Sequence, residues 1–177
     1  MSDWAELLER TNGLRHSAVL RNFFVSPPID EDEVLEIFRR VSRRNDGRLM
    51  STLRAYQGGR REQLEHRVLR RAPASNAKLD TWFSEIFKGR PSALILNRVE
   101  RWSVAVADFP ATLNLALADG DPSRLNAIEC VLFMGDYGFS PFGIHLDYDS
   151  TRVLHIPLLG APKTMYLWSD AEFEQAT

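Results

Sequence analysis

The spacing of apolar residues changes along this chain, and each change predicts a different element. Between Asp30 and Arg44, the residues Val34, Leu35, Ile37, Phe38 and Val41 recur every three to four positions, which predicts an amphipathic helix burying one face. Asp30 stands where an N-cap belongs, and Glu33 holds the capping-box position three residues on. Trp4, Leu7 and Leu8 predict a shorter helix behind Ser2 as cap. Leu79, Trp82, Phe83, Ile86 and Phe87 predict another, with Gly89 as its left-handed terminator. The stretch "DFPATLNLALADG" predicts a further helix capped by Asp108 and ended by Gly120. Residues 48–72 fit either a strand pair turning at Gly58-Gly59 or a basic helix from Arg60 to Arg71. The favoured reading is strand, turn, then helix.

Five other stretches are short, rich in β-branched and aromatic residues, and bounded by Gly, Pro, Asp or Ser: 92–99, 127–134, 142–148, 152–159 and 163–168. These features predict strands of one antiparallel sheet system. No internal repeat or linker divides the chain, so the expectation is one α+β domain. Within it, residues 1–90 form a mainly helical part that packs on the strands of residues 91–177.

Composition narrows the function classes. The net charge of −2 and the pI near 6.1 give the whole chain no signature of a nucleic-acid binder. The distribution is uneven: residues 39–71 hold eleven arginines against Asp46, Glu62 and Glu65. Solvated helix faces are the ordinary use of such residues, and an acidic partner is the other. Cys130 has no second cysteine to pair with and lies in the apolar run "IECVLFM", where a buried, inert thiol is expected. No apolar run reaches the roughly 18 residues that span a bilayer, and the N-terminus has neither a basic nor an apolar signal region. The expectation is a cytoplasmic protein with no membrane partner.

The chemistry concentrates in "GFSPFGIHLDYDSTRVLHIPLLGAPKTMYLW". Residues two apart on a strand share a face, so His145 and Asp147 project into one space. An imidazole and a carboxylate are two of the three groups of a facial triad on Fe(II). An isolated His-x-Asp pair is more often a hydrogen-bonded structural couple, so its surroundings matter. A Gly/Pro-rich approach precedes the pair, and Lys163 opens the last predicted strand after a Gly-Ala-Pro turn. The chain has three lysines against nineteen arginines. A lysine at that point suits the distal carboxylate of a dicarboxylic acid whose other end chelates the metal. Tyr148 and Asp149 follow as candidates to orient the ligands. His155, between Leu154 and Ile156, reads as a core histidine or one lining the site, while His16 and His66 read as surface residues. Signatures of serine hydrolases, P-loop NTPases, zinc fingers and zincins are absent from the sequence.

Residues 92–175 resemble the JmjC or cupin-type branch of the Fe(II)/2-oxoglutarate-dependent oxygenases, which contains asparaginyl and ribosomal-protein hydroxylases. The resemblance rests on the order of "SALILNRVE", the Asp108 helix, "AIECVLFM", "HLD", "VLHIPLLGAPK" and "YLWSDAEFE". It implies a double-stranded β-helix, a cupin-like jelly roll, with Fe(II) held by His145 and Asp147 and 2-oxoglutarate anchored by Lys163. It also implies a second metal histidine from a later strand and further closing strands, so the expectation is that the chain is a fragment of the roll or that the missing strands are supplied otherwise. An incomplete roll exposes strand edges, so the chain alone is expected to be poorly soluble, oligomeric (a homodimer being one form) or dependent on more sequence. The substrate expected is a protein, a peptide or an amino-acid-like small molecule. The alternative from another class is a catalytically silent cupin-like module that binds a partner through its Arg-rich helical half.

Overall fold

The computed structural model describes residues 4–24, 27–44, 52–121, 123, 125–136, 138, 151–162, 164–166, 172 and 175. Among them the chain is α+β, with a four-stranded antiparallel sheet and five α-helices. Helix α1 spans Trp4–Arg10 and α2 spans Glu31–Arg43. The α2 cap forms as the sequence requires, Asp30 Oδ1 accepting from the Glu33 N–H at 2.9 Å. All five periodic residues of α2 are at most 2% exposed. Each such burial stabilises by about 1.5–3 kcal/mol.

Strand β1 (Leu53–Gln57) turns back through Gly58 and Gly59 into β2 (Arg60–Glu62). Both glycines have positive φ, +59° and +77°, which a two-residue hairpin of this hand needs at both positions. Here the favoured reading is corrected, because Arg60–Glu62 is a strand and the basic helix α3 begins only at Glu65 and ends at Arg70. Strand β2 is exposed throughout. It owes its form to pairing with β1, and its charged side chains suit an edge position.

Helix α4 (Leu79–Phe87) packs on α2, with the rings of Phe38 and Trp82 4.8 Å apart. Glu31 of α2 accepts from the Leu79 N–H at 2.7 Å and so caps α4 from outside. The left-handed turn that ends α4 starts one residue before Gly89, at Lys88, and both have positive φ. Strand β3 (Ser92–Asn97) pairs with β1 on one side and with β4 (Val131–Asp136) on the other, giving the order β2-β1-β3-β4. The sheet therefore draws strands from both sides of residue 90. Leu53, Ala55, Leu94, Leu96 and Leu132 face the core shared with α2, α3 and α4.

Three boundaries differ from the expected ones. Strand β3 stops at Asn97 because Arg98 is left-handed and a 3-10 turn follows at Val99–Arg101. Strand β4 begins at 131, not 127, because Cys130 spends its backbone groups elsewhere. Its N–H donates to Glu100 Oε2 at 3.0 Å, and its carbonyl accepts from Val99 at 3.0 Å. Helix α5 runs Val104–Ala118, so its cap is Ser103, whose Oγ accepts from the Val106 N–H at 3.2 Å. Asp108 is not a cap but an interior residue of α5. The helix ends as expected in left-handed Asp119 and Gly120. Helix α1 rests on α5, where Trp4 Nε1 donates to Thr112 Oγ1 at 3.2 Å and the Trp4 and Phe109 rings lie 4.9 Å apart.

Candidate functional site

His145, Asp147 and Lys163, with Tyr148 and Asp149, lie outside the described residues. What the structure describes is the framework leading to them and the chain on either side. Antiparallel pairing aligns residues of three strands into rows on each face of the sheet. On the face away from the helical core, Arg54, Ile95 and Phe133 form one row, and Arg61, Tyr56, Ala93 and Gly135 form the next. Ala93 and Ile95 are 1% and 2% exposed, so this face is covered along β3, while Phe133 is 49% exposed.

Arg54 is the polar exception in its row. Its Nη2 donates to Asn97 Oδ1 at a long 3.4 Å, and its buried Nε has no hydrogen-bond partner among the described residues. Sequence reasoning counted Arg54 only as one of eleven arginines. The alternation in "LRAYQ" was the available signal, since it sets Arg54 and Tyr56 on the face opposite Leu53 and Ala55.

Beyond His145 and Asp147 in sequence, residues 151–158 carry no regular secondary structure, which corrects the strand expected over 152–159. Pro157 removes a ladder donor. Arg152 Nε instead reaches across to the Leu14 carbonyl at 2.9 Å, and Leu158 packs against the core. Thr164–Tyr166, the described part of the expected strand 163–168, are likewise not in a strand. His155 is exposed, as are Val153 and Leu154 beside it, so it is not the core histidine its apolar neighbours suggested. His16 and His66 are exposed, as expected. Among the described residues no group of three or more His, Cys, Asp or Glu side chains is placed to hold a metal ion.

Cys130 is half-buried. Burial pushes its thiol up to about 11, and the carboxylates of Glu100 and Glu129 push the same way. A thiol held protonated is a poor nucleophile and a poor metal ligand.

The arginine-rich region divides into two sets. One set is bound into the fold. Arg39 donates to the carbonyls of Pro73 and Ala74 at 3.1 and 2.8 Å, and Arg40 to that of Trp102 at 2.6 Å. Arg67 and Arg71 donate to the carbonyls of Ile86 and Glu85 at 3.1 and 3.3 Å. Burial tends to raise the carboxyl of Glu36, but hydrogen bonds from Arg39 and Arg40 and the charges of Arg40 and Arg43 outweigh it and hold the group below its usual range. The other set is exposed: Arg60, Arg61 and Arg70 form no salt bridge among the described residues.

No helix among the described residues is long and apolar enough to cross a membrane. Compared with family models, curated proteins and solved structures, the chain matches none.

Proposed function

We propose that this chain carries the metal-binding part of an Fe(II)/2-oxoglutarate-dependent oxygenase, built on a cupin-like jelly roll and hydroxylating a protein, peptide or amino-acid-like substrate. The observation that carries the reading is the sequence order His145-x-Asp147, then Lys163, downstream of an antiparallel sheet. Strand β4 ends at Asp136, nine residues before His145. An antiparallel sheet is the scaffold that such a roll requires.

In this reading the His145 imidazole binds the metal in its neutral form and Asp147 offers a carboxylate oxygen, which together leave positions open for co-substrate and O₂. When bound, Fe(II) with 2-oxoglutarate supplies the oxidation of an unactivated C–H bond by O₂, with release of succinate and carbon dioxide. Lys163 neutralises and orients the far carboxylate of 2-oxoglutarate through a charge-assisted hydrogen bond.

The test is succinate formation measured against 2-oxoglutarate concentration. Lys163→Ala removes a bond worth about 1.5–3 kcal/mol, so the apparent KM for 2-oxoglutarate rises roughly 10- to 150-fold. Lys163→Arg recovers part of that loss, because the charge remains while the shape differs. A dependence on 2-oxoglutarate that is the same in Lys163→Ala as in the parent removes Lys163 from the site.

A further inference from the structure

Charge is segregated along this chain. Residues 39–71 carry a surplus of eight positive charges, eleven arginines against three acids, within a total of −2. Two depressions collect this surplus on consecutive stretches of one connecting segment. His66, Arg67, Arg70 and Arg71 line the first, an open groove of about 320 Å³, and no carboxylate among the described residues lines it. Arg39 and Arg43 line the second, of about 400 Å³, together with Ala72, Pro73 and Ser75, and Glu36, which pairs with both arginines, is its one acid among the described residues.

The bonds that occupy some of these arginines also fix them. Arg39, Arg67 and Arg71 are held by main-chain carbonyls. Each guanidinium has five N–H donors, so the single carbonyl bond of Arg67 and of Arg71 leaves others for a ligand, whereas Arg39, with three carbonyls and Glu36 as partners, is largely taken up. Immobilised guanidinium groups lose little further freedom when an anion binds.

We propose that the two grooves flanking residues 70–75 dock an acidic segment of a partner protein, its carboxylates meeting Arg43, Arg67, Arg70 and Arg71. An acidic peptide fits better than RNA, because His66 is the one aromatic ring lining either groove among the described residues, which gives successive bases no run of rings to stack on. The docking surface does not depend on the iron site and stands or falls separately.

The test titrates the full chain with a labelled poly-glutamate peptide of about ten residues, and in parallel with a single-stranded RNA of matched charge, at about 50 mM salt. The peptide is expected to bind and to be released as salt rises to about 0.5 M. The Arg43→Ala/Arg70→Glu variant, with circular dichroism matching the parent, is expected to bind the peptide at least about tenfold more weakly. The Arg15→Ala/Arg101→Glu variant carries the same charge change on exposed residues outside both grooves and is expected to stay within about twofold. No peptide binding, or an equal loss in both variants, overturns the proposal. Tighter binding of the RNA than of the peptide overturns the choice of partner.

Discussion

Arg67 Nη1 lies 3.1 Å from the carbonyl oxygen of Ile86, so a side chain of α3 satisfies a carbonyl left open at the end of α4. Its neighbours complete the arrangement. Arg71 serves the Glu85 carbonyl, and Gln57 Nε2 serves that of Phe87 at 3.0 Å. Trp82 Nε1 returns a bond to the Arg71 carbonyl at 2.7 Å, closing α3 against α4 from both sides. Two of the region's eleven arginines thus act as helix caps supplied from a second element.

This division of labour among the arginines predicts unequal mutational costs. Arg67→Ala removes a part-buried charged donor and leaves the Ile86 carbonyl without it, so it should destabilise by about 1.5–3 kcal/mol in urea unfolding. Arg70→Ala removes an exposed side chain and should stay within about 0.5 kcal/mol. Equal effects at the two positions contradict the capping role.

The start of α5 separates two candidate caps. Ser103→Ala should cost about 1 kcal/mol, because Ser103 accepts from the Val106 N–H. Asp108→Ala should be nearly neutral, since alanine is the better helix former at an exposed interior position. Thermal unfolding of the two variants checks the order, and a larger loss at Asp108 moves the helix start back to where the sequence suggested it.

The same helix shows what was legible in the sequence and what was not. Helices α2 and α4 were readable because cap, periodic face and terminator are local signals, all within one stretch of residues. The α5 start was misread because Asp108-Phe109-Pro110 imitates a helix beginning, proline being favoured at the first helical position. Pro110 instead sits inside the helix. Strand β2 has no apolar residue to announce it, and Gly58-Gly59 is the local signal that its pairing with β1 left in the sequence. Residues 152–159 have the apolar content of a strand, yet Arg152 and Leu158 are engaged with Leu14 and the core in place of a ladder. The candidate site is legible as a sequence pattern at 145, 147 and 163, positions outside the described residues. The basic grooves were legible as composition, but which arginines the fold consumes depends on contacts with α4 and the 73–75 segment.

Cys130 gives a prediction in reactivity. With its thiol raised to about 11, it should alkylate at pH 8 roughly two orders of magnitude more slowly than an ordinary cysteine, whose pKa is near 8.5. The rate should keep rising with pH well past the point where an ordinary thiol levels off, because thiolate accumulates only near the raised value. Fast labelling at pH 8 in the folded chain contradicts the burial and the two carboxylates as its cause. Glu100→Gln, which removes one of those charges, should speed the labelling.

The central claim is that His145 and Asp147 bind a metal ion together. Anaerobic titration of the chain with Fe(II), followed by equilibrium dialysis, tests it without requiring turnover or a known substrate. The account predicts saturable binding that His145→Ala and Asp147→Ala each weaken by at least about tenfold to a hundredfold, since each removes a ligand, while Lys163→Ala leaves it unchanged. Iron binding that is equally strong in the parent and in both ligand variants contradicts it.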